Sequence, residues 1–218
     1  MMFSVAFLIF SAGVLSATAE DPASTTCTEP PAVDGWNFLK EHHQYDMLQR
    51  NFNTTGGEHT KCLTSNIKKK DETKHLASAL IQFQLHQGGP WYKLNQEYQF
   101  SRDRTEKFNI MRTTRTSEGP KASYRFGLTL DTCAVVYVDE IDSFTQESQG
   151  IVKNPEAREL PKEPKCVLWF KHEQPETEII CCKNFFAQHC ETEEIATIYD
   201  NTCKTAGDQH RALDNGAH

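Results

Sequence analysis

The chain has 218 residues, of which 38% are hydrophobic and 24% are charged, and its formal net charge is −7. This length and composition are those of one ordinary globular domain, not of a fibrous or low-complexity protein. The acidic balance argues against nucleic acid or an anionic membrane surface as a partner, because both carry negative charge themselves.

The first 19 residues have the pattern of a secretory signal peptide. They contain no charged side chain, and their apolar run from Val5 to Phe10 is too short to span a bilayer. The small residues Ala17-Thr18-Ala19 match a cleavage site. We therefore predict a secreted, extracellular protein, and we predict an extended arm over the polar, proline-containing residues 20–33.

The predicted domain covers residues 34–204 and begins with a short helix. Asp34 is a suitable N-cap, and Trp36, Phe38 and Leu39 follow on the first turns. Short segments of alternating apolar and polar residues come next, separated by turn residues. These predicted strands cover residues 45–52, 61–67, 76–85, 98–102, 104–115, 124–130, 134–138 and 166–171. About eight strands at hairpin spacing are typical of an antiparallel barrel or sandwich.

The alternation ends after the last predicted strand. Residues 184–199 are rich in Glu and Ala, and we predict a C-terminal helix that packs outside the sheet. Residues 140–165 are a long polar connection, predicted as a surface loop. The polar residues 205–218 are predicted to be a disordered tail.

The even number of cysteines predicts a set of disulfide bridges. There are eight, and in an oxidising compartment they predict four bridges, although spacing alone cannot select the pairing. Cys181, Cys182, His189 and Cys190 lie close together but lack the C-x2-C pairs of structural zinc sites, so we predict no metal. Asn53-Thr54-Thr55 is an acceptor sequence for N-glycosylation.

No catalytic signature is present in the sequence. It contains no G-x-S-x-G, H-E-x-x-H or P-loop pattern. A cysteine nucleophile would need a free thiol, and an even number of paired cysteines leaves none. We therefore predict that the protein is not an enzyme and uses no cofactor.

Four segments resemble the salivary lipocalins of ticks, the histamine-binding family. Residues 34–39 (Asp-Gly-Trp-Asn-Phe-Leu) resemble the family's D-A-[WF]-x-x-[LF] opening helix, and residues 131–138 resemble its D-x-C-x-V-x-Y-V strand. Residues 167–169 (Val-Leu-Trp) resemble the E-[LM]-W segment of its last strand, and Cys181-Cys182-Lys183 resembles the C-C-[RK] of members with an extra bridge. The resemblance extends from about residue 34 to residue 203.

The resemblance implies an all-β fold with flanking helices. It implies an eight-stranded antiparallel lipocalin barrel, with a short N-terminal helix and a C-terminal helix packed outside. Such a barrel is just wide enough to hold one small ligand. It also implies the bridges Cys62–Cys203, Cys133–Cys182 and Cys27–Cys181, which leaves Cys166–Cys190 as the fourth.

The resemblance also bears on whether the ligand is an amine. A buried amine cation needs a carboxylate partner. Amine-binding members place a Glu just before the Leu-Trp of the last strand and an Asp directly after the strand cysteine. Here these positions are Val167 and Ala134, and residues 52–57 lack the family's aromatic and acidic residues after the first strand. These departures favour a different ligand.

The alternating faces predict an apolar, aromatic interior instead. Arg112 is predicted to share an inner face with Phe108 and Ile110, where a buried arginine would bind an anion. Together these side chains suit a lipid carboxylate such as an eicosanoid or a fatty acid. The alternatives are core filling for the aromatic residues and an exposed strand end or ion pair for Arg112. The predicted ligand-binding residues are Phe83, Phe100, Phe108, Ile110, Arg112, Tyr124, Phe126 and Trp169.

Three functions therefore stay open. The first is capture of an apolar or lipid mediator of host inflammation, and the second is capture of a biogenic amine such as histamine or serotonin. The third is binding of a host immune or complement protein through the outer loops.

Overall fold

The computed structural model describes residue 27 and residues 33–53, 60–141, 164–190 and 195–203. The predicted signal peptide 1–19, most of the predicted arm 20–33, most of the connection 140–165 and the predicted tail 205–218 lie outside these described residues. The boundaries predicted for those segments stay predictions.

Each of the eight predicted strand segments overlaps an observed strand, and β2, β4 and β7 extend beyond their predicted bounds. In chain order the strands are β1 Gln44–Arg50, β2 Lys61–Asp71, β3 Leu76–Gln84, β4 Trp91–Ser101, β5 Ile110–Thr113, β6 Ala122–Thr129, β7 Cys133–Ile141, β8 Cys166–Lys171 and β9 Ala196–Thr197. The helices are α1 Gly35–Phe38, a 3-10 helix at Glu176–Ile179 and α2 Ile180–His189. None of the helices in the described residues is long and apolar enough to cross a membrane.

The strands form one closed antiparallel sheet. Their order is β2-β3-β4-β5-β6-β7-β8-β1, and β1 also pairs with β2, which closes the barrel. This is the eight-stranded antiparallel barrel of lipocalin type that was predicted, and the open alternative of a sandwich is excluded. The short strand β9 pairs with the last residues of β1, at Gln49 and Arg50.

The fifth predicted strand is shorter than expected. Alternation predicts a strand over residues 104–115, but β5 begins only at Ile110. The Asp103 carboxylate accepts hydrogen bonds from the Thr105 amide at 2.8 Å and from Asn109 Nδ2 at 2.9 Å. This side-chain turn holds residues 103–109 in a loop, because an Asp side chain competes with the ladder for backbone donors.

Helix α1 covers one end of the barrel, here called the closed end; the other end is called the far end. As predicted, Asp34 caps the helix, and its Oδ1 accepts from the Asn37 amide at 3.0 Å. Lys70 Nζ donates to the carbonyl oxygens of Trp36 and Leu39 at 2.8 and 2.9 Å. These contacts fix α1 against the end of β2.

Two apolar clusters lie on opposite faces of the sheet. One fills the barrel and includes Tyr45, Ile67 and Val136. The other lies outside, where α2 packs on β7 and β8 through Cys182 and Phe186. The alternation of β7 separates them, since Ala134, Val136 and Val138 face inward while Cys133 and Val135 face α2.

Four disulfides fasten the helix and the chain end to the barrel. The pairs are Cys27–Cys181, Cys62–Cys203, Cys133–Cys182 and Cys166–Cys190, the four that the family resemblance implies. Three of them hold the segment from residue 181 to residue 190. The C-terminal helix therefore packs outside the barrel, as predicted.

The predicted extent of that helix, residues 184–199, is wrong. The helix begins earlier, at Ile180, and ends at His189. Ala196–Thr197 is a strand, because the outer edge of β1 offers unpaired backbone groups there. Ile198 N donates to Leu48 O at 2.9 Å, and Cys62 N donates to Ile198 O at 2.7 Å, so tertiary pairing overrides the local helical composition.

Candidate ligand-binding site

The interior of the barrel is tightly packed at the closed end and less so towards the far end. Four inward-facing side chains nearer the far end pack against the interior cluster but are only partly buried: Leu63, Phe83, Leu94 and Tyr124. An inward side chain that keeps contact with solvent has room beside it. The far half of the barrel is therefore where a ligand can be accommodated.

Three of the predicted ligand-binding residues line this part of the interior or its wall. Phe83 and Tyr124 are two of the four partly buried, inward-facing side chains near the far end. Phe83 stacks on Tyr92 with ring centroids 5.6 Å apart. Trp169 on β8 is paired with Met47 and with Ala134, and all three face inward. Trp169 is also only partly buried, so a bound ligand can touch its ring.

Three other predicted ligand-binding residues lie at the closed end of the barrel: Phe100, Phe108 and Phe126. Phe100 is 2% exposed, and its ring lies 5.1 Å from that of Trp36 and 6.1 Å from that of Phe126. Phe108 stacks on His75 with centroids 3.6 Å apart. These side chains fill the space under α1, which is the core-filling alternative for the aromatic residues.

The predicted placement of Ile110 and Arg112 in the interior is wrong. Met111 is the residue of β5 that joins the interior cluster, so its two neighbours face outward. Arg112 is exposed, and its Nη1 lies 3.3 Å from Ser101 Oγ. The face was misassigned because Phe108 lies in the preceding loop, outside the strand whose alternation it was used to define.

The structure instead places Arg50 inside the barrel. Regular alternation along β1 from Tyr45 and Met47 would send Arg50 outward. A bulge between Met47 and Gln49 shifts the register by one residue, so Arg50 is paired with the inward-facing Val167. Sequence reasoning missed Arg50 because a bulge leaves no clear signal in the pattern of apolar residues.

The Arg50 guanidinium is buried with most of its donors unused. The residue is 3% exposed, and neither Nε nor Nη2 has a hydrogen-bond partner in the described residues. Only Nη1 makes a long contact, 3.4 Å to Thr60 Oγ1. Burial lowers the pKa of Arg50 from its usual value. Arginine nonetheless keeps its proton in proteins, and no described residue forms an ion pair with this positive charge.

A second cation lies close to the same place. The Phe52 ring packs against the interior cluster, with Arg50 Cζ 5.8 Å and Lys165 Nζ 5.6 Å from its centroid. Arg50 is the last residue of β1, and Lys165 directly precedes β8, so both residues are at the far end of the barrel. Two cationic side chains therefore lie beside the Phe52 ring at the far end.

Two tyrosine rings also pack in the interior cluster. Tyr98 on β4 and Tyr124 on β6 have ring centroids 6.3 Å apart, and no described residue forms a hydrogen bond with either hydroxyl. Burial raises the pKa of Tyr124 to about 12 and that of Tyr98 well above its usual range. Tyr45 differs, because its hydroxyl donates to Phe38 O at 2.7 Å and accepts from Lys40 N at 2.9 Å.

No buried carboxylate faces the barrel interior in the described part of the chain. Among the described residues, Asp46 is the one buried acidic residue. It faces outward from the barrel, and its Oδ2 lies 2.5 Å from His172 Nδ1. Val167 and Ala134, the two positions where the family resemblance implies an acidic residue in an amine-binding protein, are buried apolar residues of the interior. The described residues also contain no group of three His, Cys, Asp or Glu side chains suited to a metal ion.

The predicted glycosylation site lies at the border of the described chain. Asn53 is exposed just after β1, as an acceptor residue must be, whereas Thr54 and Thr55 lie outside the described residues. Glycosylation of Asn53 stays a prediction.

The chain is similar to known proteins both in sequence and in fold. The family described as tick histamine binding protein matches residues 28–205. In fold, the chain is similar to Japanin from Rhipicephalus appendiculatus bound to cholesterol, with a TM-score of 0.45 and 10% identity; the alignment covers 75% of this chain and 96% of that chain. No curated protein matches the chain in sequence. Since the family match spans most of its length, the chain belongs to the tick histamine-binding protein family.

Proposed function

We propose that this protein captures an anionic lipid, such as a fatty acid or an eicosanoid, and that Arg50 binds the carboxylate. The observation that carries the proposal is the buried guanidinium, two of whose nitrogens bond to no described residue. Nε and Nη2 lie on the same edge of the group, the edge that binds a carboxylate through two parallel hydrogen bonds. An unpaired buried charge is costly, so a bound anion would relieve a defect of the empty protein.

The surroundings of Arg50 suit a lipid rather than a small hydrophilic anion. Its paired neighbours are Val167 and Ala196, and Phe52 lies beside it. The partly buried rings of Phe83 and Trp169 continue the apolar wall. A hydrocarbon chain could therefore leave water while its carboxylate stays paired.

Secretion and capture of a host mediator complete the proposal. Four disulfides fit a protein that works in an oxidising, extracellular setting. The action would be stoichiometric, with one ligand held by each protein molecule. By holding a lipid mediator, the protein would lower its free concentration and weaken the host's inflammatory response.

The test is calorimetric titration of the delipidated protein with oleate. Arg50→Gln should weaken binding about tenfold to a hundredfold, the range of a lost charge-assisted hydrogen-bonded pair. Arg112→Gln is the matched control, since it removes the same charge from the outer surface, and it should bind oleate as the wild type does. Methyl oleate, which lacks the negative charge, should bind weakly to all three proteins.

Two results would reject the proposal. One is equal affinity of the wild type and Arg50→Gln for oleate, with both variants shown by thermal melting to be folded. The other is tight binding of histamine or serotonin without binding of oleate, which would favour the amine hypothesis that the family's description suggests.

A further inference from the structure

The barrel wall beside Arg50 is completed by a segment from near the end of the chain. The ladder between β1 and β2 ends at the pair Asp46 and Thr64. Towards the far end, β1 pairs instead with β9, where Ala196 lies opposite Arg50. Ala196 packs against the interior cluster, so this part of the wall belongs to β9. We call residues 196–203 the strap.

The strap bridges β1 and β2 where these two strands have separated. Ile198 N donates to Leu48 O of β1 at 2.9 Å, and Cys62 N of β2 donates to Ile198 O at 2.7 Å. The Ile198 side chain is fully buried in the interior cluster. Cys62 has a φ of 55°, in the left-handed region that residues other than glycine rarely adopt. The divergence of β2 from β1 is therefore accompanied by backbone strain.

The strap has a shorter ladder than the strands beside it, but it is also tethered. Strand β9 has two residues, whereas β1 has seven and β2 has eleven. A short ladder opens locally at a lower free-energy cost than a long one. The Cys62–Cys203 bridge fixes the end of the strap to β2. The strap can therefore separate from β1 while the chain stays attached and the rest of the barrel stays folded.

We propose that the strap is a side gate, which opens transiently to admit the lipid and closes again once Arg50 holds the carboxylate. The inference rests on the proposed function, because it assumes that Arg50 binds the ligand. Arg50 is 3% exposed, so a ligand reaches its guanidinium only after a neighbouring group moves. On one side of Arg50 lies β8, which has six residues and is fixed to α2 through Cys166–Cys190. On the other side lies the strap, which is the easier of the two to displace.

A new disulfide between β1 and β9 tests the gate. Gln49 and Thr197 are paired, and neither belongs to the interior cluster. Because Ile198 N donates to Leu48 O in the adjacent position, Gln49 and Thr197 form a non-hydrogen-bonded pair, whose Cα atoms lie about 4.5 Å apart. That separation suits a disulfide. The locked variant is Gln49→Cys/Thr197→Cys, with the new bridge verified by peptide mapping, and Gln49→Ser/Thr197→Ser is the matched control.

Stopped-flow tryptophan fluorescence measures how fast oleate enters and leaves. The locked variant should take up and release oleate at least about tenfold more slowly than the wild type, because the bridge suppresses the local opening. Its dissociation constant should stay the same, since the bridge lies outside the interior and slows both directions. The serine control should keep the wild-type rates. In hydrogen exchange of the unliganded wild type, the amides of Ile198 and Cys62 should exchange faster than those of the β7–β8 ladder.

The outcomes separate the gate from the proposed function. If oleate does not bind the wild type, both proposals fail. If oleate binds but enters and leaves the locked variant as fast as the wild type, the lipid uses another route and the gate alone is wrong. Amides of Ile198 and Cys62 that exchange as slowly as those of the β7–β8 ladder would also overturn the gate. This last measurement uses the wild type, so it tests the gate even if the locked variant fails to fold.

Discussion

Gly35 and Phe126 are in direct contact at the closed end of the barrel, with the aromatic ring lying over the glycine backbone. A Cβ atom on residue 35 would lie 2.6 Å from Cγ of the ring, nearer than real Cβ contacts. The contact joins α1 to β6, so the first turn of the helix can approach the barrel only because residue 35 has no side chain.

We therefore expect Gly35→Ala to destabilise the protein by about 1–3 kcal/mol, the usual cost of overpacking a tight core. Urea denaturation of the purified protein measures the change. The second substitution Phe126→Leu should restore part of the loss in the Gly35→Ala background, because it removes the clashing ring. An unchanged midpoint in Gly35→Ala would show that α1 can move away at no cost.

The buried charge of Arg50 should lower the free energy of unfolding of the ligand-free protein. We expect Arg50→Met to raise the free energy of unfolding of the delipidated protein by about 1–3 kcal/mol, since an unpaired buried donor is removed. Oleate should then stabilise the wild type but not the variant. Arg112→Met, on the outer surface, should change neither the free energy of unfolding nor the stabilisation by oleate. If Arg50→Met is less stable than the wild type, the arginine supports the fold.

Acid should weaken the loop that supports the start of α1. Hydrogen bonds from the Thr105 side chain and from Asn109 lower the pKa of Asp103 from 3.8 to about 2. A lowered pKa contributes stability that is complete above the unfolded value and is lost as the pH falls through the folded value. Asn109 Oδ1 in turn accepts from the Gly35 amide at 2.8 Å, which connects this loop to α1.

We accordingly expect the melting temperature of the wild type to fall between about pH 4 and pH 2, in part through Asp103. Asp103→Asn should be less stable than the wild type near neutral pH and should lose less on acidification. Asp139→Asn, a change of the same kind at an exposed strand position, is the comparison. If the melting temperatures of the wild type and Asp103→Asn fall by the same amount over this pH range, Asp103 does not contribute to the acid sensitivity.

The Cys62–Cys203 bridge should contribute more to the free energy of unfolding than the Cys27–Cys181 bridge. Both close long loops, so both limit the unfolded chain to a similar degree. Cys62 and Cys203 are also 1% and 2% exposed and hold the segment that pairs with β1, whereas Cys27 is exposed. Replacing the first pair by alanine should cost about 3–5 kcal/mol in urea denaturation, and replacing the second should cost less. The reverse order would show that the N-terminal segment contributes more than its exposure indicates.

Trp169 should report ligand binding by its fluorescence. The protein has three tryptophans; Trp36 belongs to α1 at the closed end, and Trp91 packs against the outer cluster. In the variant Trp36→Phe/Trp91→Phe the emission comes from Trp169, and oleate should change it in a saturable way. Trp169→Phe, which keeps the other two rings, should respond much less. A response of equal size in both variants would mean that the ligand does not contact Trp169.

Much of the fold could be predicted because it depends on local patterns. The alternation of β3 and β6 and the unbroken β-branched and aromatic run at 134–138 define strands, Asp34 defines the start of α1, and the even number of cysteines defines a cross-linked domain. The family motifs then imply how the bridges are paired. None of these inferences needs the position of a distant residue.

The site was harder to predict because a single-residue shift reverses the face of a strand. The sequence by itself determined about eight strands with apolar, aromatic faces and a cross-linked domain, and its family resemblance implied a barrel. Only the tertiary structure decided which arginine lies inside that barrel, because the bulge in β1 turns Arg50 inward and the short β5 leaves Arg112 outside. A side chain's surroundings depend on the register of neighbouring strands, and that register is set by contacts far apart in the chain.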